Sequence, residues 1–208
     1  MFLRHCLVAL IWLAAVVPVY GENLVVILLG PPGSGKSTQA TYLRRKYGIP
    51  TVSAADLIKR GHGGKSPVSR AVAAPTASGD LLNEEGLNQL VRYRVEKRDA
   101  LSGFILDGYP TSKKQAEYLA SLLDERKLPP PVVIVLDAPD SVVKSRMNQR
   151  RRVDDKPAVI ERRIADYRRE EQFIVDYYGK GRLYRVDATK TEREVSAQIG
   201  SVLGGGRP

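Results

Sequence analysis

Leu24-Val25-Val26-Ile27-Leu28-Leu29-Gly30-Pro31-Pro32-Gly33-Ser34-Gly35-Lys36-Ser37-Thr38 is the stretch on which the fold turns. Its first six residues are apolar and rich in β-branched side chains, the pattern of a strand buried on both faces. Residues 30–37 fit G-x-x-x-x-G-K-[ST], and Ser37-Thr38-Gln39-Ala40 reads as the start of a helix. A strand, a glycine-rich turn and a helix in that order form a phosphate-binding loop. The glycines let backbone N–H groups converge on a polyphosphate, and the helix N-terminus adds partial positive charge. In such a loop Lys36 reaches the β- and γ-phosphates, and Ser37 holds Mg²⁺.

Outward from the loop, short apolar runs alternate with helical patterns, which predicts an α/β fold with a parallel sheet. The predicted strands lie at 24–29, 50–52, 104–107, 132–137 and 183–187. The predicted helices cover 36–47, 84–98, 113–127, 141–149, 158–178 and 192–203. Asn83 before Glu84-Glu85 reads as an N-cap, and Thr191-Glu192-Arg193-Glu194 as a capping box. Pro129-Pro130-Pro131 is expected to stop a helix and stiffen the entry to the fourth strand. Residues 53–82 form a long excursion in which Ser66-Pro67 would open a helix closed by Pro75 and Gly79. Residues 150–156 are a short, charged connection, and 204–208 read as a disordered tail.

Length and composition narrow the classes. The chain has 208 residues, 43% of them hydrophobic, which suits one domain with insertions. Its formal net charge of +10 is compatible with nucleic acid, a membrane surface or phosphorylated small molecules. Aromatics do not interleave with the basic runs as in a single-strand stacking platform. One cysteine, Cys6, and two histidines, His5 and His62, leave no disulfide framework, Cys/His metal cluster or Cys–His nucleophile pair.

The first residues read separately. Arg4 precedes an apolar run over 6–19, and Val19-Tyr20-Gly21 places small residues at both ends of a cleavage triplet. Residues 1–21 therefore resemble a secretory signal, cut after Gly21, that would send the protein to the exterior or periplasm without a stable membrane span. An over-extended start site, leaving the protein cytoplasmic, or a retained tether are the alternatives. The scarcity of ATP outside the cytoplasm weighs against export.

Two constellations supply chemistry beside the loop. Asp107 ends the predicted strand Phe104-Ile105-Leu106-Asp107 before Gly108-Tyr109-Pro110, where a carboxylate can orient Mg²⁺ or its water. Arg146 and Arg150 are four residues apart on one helix face, with Arg151, Arg152 and Arg163 beyond them and Asp154-Asp155 able to pair with them. Converging guanidinium groups stabilise a transferring phosphoryl group.

With these pieces the chain resembles the adenylate kinases and the wider nucleoside monophosphate kinase family. The resemblance spans 24–199 and rests on the phosphate loop through Ala40, Val52-Ser53-Ala54-Ala55-Asp56-Leu57, Gly103 through Pro110 with Gln115-Ala116, the arginine cluster, Asp154-Asp155 and Val186-Asp187-Ala188-Thr189-Lys190. It implies a P-loop NTPase-type three-layer sandwich around a five-stranded parallel sheet, with a monophosphate-binding insertion at 53–82 and a short lid at 150–156 inside a domain spanning 22–203. It implies that Gly30, Pro31, Pro32, Gly33, Ser34, Gly35, Lys36, Ser37, Thr38, Arg146, Arg150 and Lys190 bind ATP. Lys36, Arg146, Arg150, Arg152 and Arg163 would neutralise charge during transfer. Ala54, Lys59, Gly79, Leu81, Leu82, Gly108, Thr111, Gln115, Arg152 and Arg163 would hold the acceptor, Gln115 reading its base. Ser37 and Asp107 would hold Mg²⁺, indirectly. The implied reaction is ATP plus AMP giving two ADP, by a monomer whose partners are nucleotides and not nucleic acid.

The departures fall on the acceptor side. Thr111 stands where most of the family has an arginine that grips the acceptor's α-phosphate. Lys59 replaces another arginine, keeping charge but losing bidentate geometry. Ala54-Ala55-Asp56 replaces threonine and glycine before the aspartate. A kinase for another nucleotide or small acceptor, and an ATP-binding module with little transferase activity, therefore stay open beside the adenylate kinase reading. A nucleic-acid-binding protein is the weakest alternative.

Overall fold

The computed structural model describes residues 23–63, 84–150, 156–179 and 181–204, with backbone alone at 61–63. Five parallel strands form one sheet: β1 Leu24–Leu29, β2 Thr51–Ser53, β3 Gly103–Asp107, β4 Val132–Asp137 and β5 Leu183–Asp187, in the order β2-β3-β1-β4-β5. The helices are α1 Lys36–Tyr47, α2 Ala54–Gly63, α3 Glu84–Val95, α4 Lys113–Glu125, α5 Asp140–Arg150, α6 Pro157–Tyr178 and α7 Glu192–Gly204. A 3-10 turn, Arg98–Ala100, precedes β3.

Alternation along β1 creates the three layers. Val25, Ile27 and Leu29 pack into one core with Leu87, Val91 and Val95 of α3 and Leu119, Leu122 and Leu123 of α4. Val26 and Leu28 point into the other, with Leu43 of α1, Val143 and Met147 of α5 and Ile199 of α7. Every β1 residue is buried, so the strand is apolar throughout. Helix α6 serves both layers, through Ile160 and Ile164 on one side and Ile174 and Tyr178 on the other. Its middle therefore passes the edge of the sheet where the strands end.

The expected three-layer sandwich is present, with local differences at element ends. The second strand starts at Thr51, not Pro50, because proline has no N–H for the ladder; its carbonyl accepts from Ile105 N at 2.9 Å. The third strand begins one residue early, at Gly103. The expected helix over 84–98 ends at Val95, whose carbonyl accepts from the Arg126 guanidinium, and Lys97 is extended. The helix expected to 127 ends at Glu125, before the prolines are reached. Lys127 there takes φ 53°, and Leu128 N returns to Leu123 O at 2.9 Å. Helices α5, α6 and α7 each run slightly beyond the expected 141–149, 158–178 and 192–203, and α7 takes in Gly204 from the expected tail. Pro157 occupies the first turn of α6, where its missing N–H costs nothing. The capping box at α7 is formed: Thr191 N and Oγ1 donate to Glu194 Oε2 at 3.0 and 2.6 Å, and Glu194 N donates to Thr191 Oγ1 at 3.4 Å.

The expected helix from Ser66-Pro67, the Asn83 cap, the segment 1–21, Arg151 to Asp155 and the tail beyond 204 lie outside the described residues.

Candidate active site

The first βα turn rises from β1 and feeds α1. Ser34 N closes the turn onto Pro31 O at 3.1 Å. A Cβ at Gly30 would stand 2.6 Å from Ser34 Oγ and 2.7 Å from Leu136 O, so the loop packs against β4 only with glycine there. Gly35, the N-cap of α1, is left-handed with φ 101° and has no side chain to cap the helix. The first-turn N–H groups of α1 are thus oriented for an anion.

Lys36 lies across this loop. Its ammonium donates to Gly30 O at 2.6 Å and to Pro31 O at 3.0 Å. Burial, the largest influence, lowers its pKa from the ordinary lysine value; Asp107 opposes this and Arg150 adds to it. The next residue, Ser37, donates from Oγ to Asp107 Oδ2 at 3.0 Å. Asp107 is 8% exposed at the end of β3, in register with Leu28 of β1 and Ser53 of β2. Lysine, serine hydroxyl and carboxylate thus meet at the carboxyl ends of the central strand β1 and its neighbour β3, where ligands gather in open α/β sheets.

Of the arginines, Arg146 on α5 donates to Ala188 O at 2.7 Å and Thr189 O at 3.5 Å, in the turn after β5. Arg150 is close enough to influence Lys36. Arg163 sits partly buried on α6. Lys190 is exposed, 3.9 Å from Asp187, whose carboxyl is held below the usual range by hydrogen bonds from Thr189. Arg152, Gly79, Leu81 and Leu82 lie outside the described residues.

On the other side of the loop, a small cavity opens between Lys36, Gly108, Pro110 and Thr111 and one face of α6, formed by Tyr167, Glu170, Glu171 and Ile174. Gln115 Oε1 accepts from Thr111 N at 2.8 Å and from Thr111 Oγ1 at 3.3 Å, and Gln115 is 4% exposed. Its amide carbonyl is therefore spent on the turn that carries Thr111. Ala54 is buried and abuts Gly108: a Cβ on Gly108 would lie 3.9 Å from the Ala54 Cβ. Lys59 is exposed on α2.

The sequence reading did not single out Tyr167, Glu170 or Glu171. The Tyr167 hydroxyl is buried without a hydrogen-bond partner among the described residues, and burial raises its pKa. Burial, aided by Asp166, holds the Glu170 carboxyl above the usual range. Their spacing with Ile174, at intervals of three and four, is the signal of a single helix face.

Below the cavity the turn is tied to α3. Tyr109, fully buried, donates from its hydroxyl to Asn88 Oδ1 at 2.7 Å and Gln115 O at 3.3 Å. Tyr109→Phe is expected to destabilise the fold by about 1–2 kcal/mol, because Asn88 keeps a buried acceptor without its donor. Urea unfolding monitored by circular dichroism checks this.

Comparison with known proteins follows the same outline. A family model described as "Adenylate kinase" matches residues 28–182. The chain is 38% identical over 179 residues to an adenylate kinase of Mycolicibacterium smegmatis, covering 86% of this chain and 98% of that protein. It is 36% identical over 180 residues to adenylate kinase 1 of a Nostoc species, again covering 86% and 98%. It is 34% identical over 189 residues to an adenylate kinase of Brucella ovis, covering 86% and 97%.

Proposed function

The chain belongs to the adenylate kinase family, and from that premise we propose that it transfers the γ-phosphoryl group of Mg·ATP to AMP, giving two ADP. The observation that carries this reading is the meeting of Lys36, Ser37 and Asp107 beneath an anion-binding helix terminus.

In this reading ATP lays its phosphates along residues 30–38. Lys36 exchanges the carbonyls of Gly30 and Pro31 for phosphate oxygens. An oxygen of the AMP phosphate attacks the γ-phosphorus in line as the bond to the β,γ-bridging oxygen breaks, and ADP leaves with that electron pair. Lys36, Arg146, Arg150, Arg152 and Arg163 neutralise the charge spread over the transferring group. The Ser37 hydroxyl and Asp107 carboxylate, hard oxygen donors 3.0 Å apart, fit Mg²⁺ or its water shell. When bound there, the ion would supply Lewis-acid withdrawal of charge from the phosphates. Residues 53–82 receive the monophosphate and 150–156 cover ATP, so that water is excluded and phosphate is not lost to hydrolysis. The working unit is a monomer, and residues 1–21 direct export.

A coupled ADP-release assay with ATP, Mg²⁺ and a panel of nucleoside monophosphates tests the reading. AMP is expected to be the best acceptor, with a high KM. Binding of ATP without turnover of any monophosphate would leave a nucleotide-binding module instead. N-terminal sequencing of the natural protein tests export: a start at Glu22 supports it, an intact Met1 refutes it.

A specific observation bears on the acceptor. Thr111 lines the cavity beside Lys36 but offers no charge, and its hydroxyl already engages Gln115. Thr111→Arg is expected to raise kcat/KM for AMP by roughly tenfold or more, mainly through KM, since a charged bidentate contact is worth a few kcal/mol at most. An unchanged KM would mean that a neighbouring basic residue already fills the role.

A further inference from the structure

Every connection that feeds a strand lies at the end of the sheet opposite the phosphate loop, and the sequence makes that end basic. Arg44 and Arg45 close α1 before β2. Lys97 and Arg98 precede β3, Lys127 precedes β4, and Arg182 precedes β5. All six are exposed, and none has a carboxylate within ion-pair distance among the described residues. The nearby acids are largely committed: Asp99 pairs with Arg94 at 2.8 Å, and Glu96 and Glu125 pair with Arg92 at 2.9 and 2.5 Å. Asp124 and Asp176 remain, beside Arg182 in a hollow of this face.

Apolar groups stand among the cations. Leu101, in the turn before β3, is 55% exposed, and Tyr177, at the end of α6, is 37% exposed. The Lys97 ammonium lies 3.7 Å above the ring of Tyr93, itself 42% exposed. The chain enters β1 on this same face, at Asn23.

We propose that this basal face docks on an anionic lipid bilayer. Cations bring it to the headgroups, and Leu101 and Tyr177 sit at the headgroup boundary, the pairing of charge and apolar anchor that peripheral binding requires. No helix of the described residues is long and apolar enough to cross a membrane, and the contact proposed for this face is a peripheral one. Strands of five or six residues put the phosphate loop roughly 20 Å above this face, so docking leaves the nucleotide cleft open to solution. The proposal holds on either side of a membrane and is independent of which acceptor the enzyme uses. Nucleic acid would also answer the charge, but it has no use for the exposed Leu101.

The test is co-sedimentation of the full chain with phosphatidylcholine vesicles, with and without phosphatidylglycerol, at low and high salt. Binding is expected only with phosphatidylglycerol and is expected to weaken as salt rises. Arg44→Gln, Arg45→Gln, Arg98→Gln and Arg182→Gln should each weaken it about fivefold, the contribution of one basic side chain near an anionic surface. These variants should keep the melting temperature and the phosphotransfer rate of the parent, since all four side chains are exposed and far from the cleft. Leu101→Ser should weaken vesicle binding without changing its salt dependence. Equal binding to phosphatidylcholine alone, or undiminished binding by a variant that combines these four arginine substitutions, overturns the proposal. A tighter affinity for duplex DNA, lost in the same variants, assigns the face to nucleic acid and overturns it as well.

Discussion

Lys36→Met is expected to lower kcat for phosphotransfer by roughly a thousandfold, the scale on which preorganised cations act on a phosphoryl transition state. The same variant is expected to melt no lower than the parent protein. The reason is in the resting geometry. The ammonium is buried against two backbone carbonyls, at 2.6 and 3.0 Å, and desolvation lowers its pKa. A lysine with a lowered folded pKa binds fewer protons in the folded than in the unfolded chain. It therefore costs stability at neutral pH, and that cost is recovered as pH rises from the lowered value toward the ordinary one. Methionine removes the cost along with the function. The parent should gain stability through this alkaline window, and Lys36→Met should lose that part of the gain. Activity by ADP release and thermal melts across pH measure both halves. A variant that melts markedly lower would show that the two carbonyl contacts outweigh the desolvation.

Gly103→Ala is expected to destabilise the protein by on the order of 4 kcal/mol, enough to unfold much of a marginally stable domain. Gly103 has φ 128°, a region that disfavours a side chain, and a Cβ there would stand 2.0 Å from Leu24 O. The position is the first rung of the ladder between β3 and β1, Leu24 opposite Gly103. Relief would require β1 and β3 to part, and these carry the phosphate loop and Asp107. Urea unfolding with and without ATP checks the effect; a loss below about 1 kcal/mol would mean that the ladder shifts at little cost.

The central strands were legible because burial on both faces writes them as unbroken apolar runs, as in Val25-Val26-Ile27-Leu28. Their edges were not, since Pro50 carries the right shape but no donor. Helix α2 was missing from the reading, although a mark was there: Ser53 Oγ accepts from Asp56 N at 3.4 Å, an N-cap on a strand's last residue. The loop lysine, its serine and Asp107 were legible as a motif plus a strand-end carboxylate. Tyr167 and Glu170 were not, because their place in the cavity depends on α6 crossing from one layer to the other. Gln115 could be marked as polar and near the turn, but that its carbonyl faces Thr111 is a matter of side-chain direction that spacing does not carry.

Among the described residues, Arg146 rests on the carbonyls of Ala188 and Thr189, neutral acceptors at 2.7 and 3.5 Å, and not on a carboxylate. A guanidinium parked on peptide oxygens has no counter-ion to shed. In the proposed reading, turning to a phosphate would exchange dipoles for a full negative charge. The same swap would take two contacts from the turn after β5, which carries Lys190 and is held independently by Ala188 N to Asp137 O at 2.8 Å and Thr189 N to Asp187 Oδ1 at 2.9 Å. In the proposed reading, arrival of the nucleotide would therefore draw Arg146 off the turn while the turn itself keeps its shape, so the cost of engaging the phosphate is confined to two neutral hydrogen bonds.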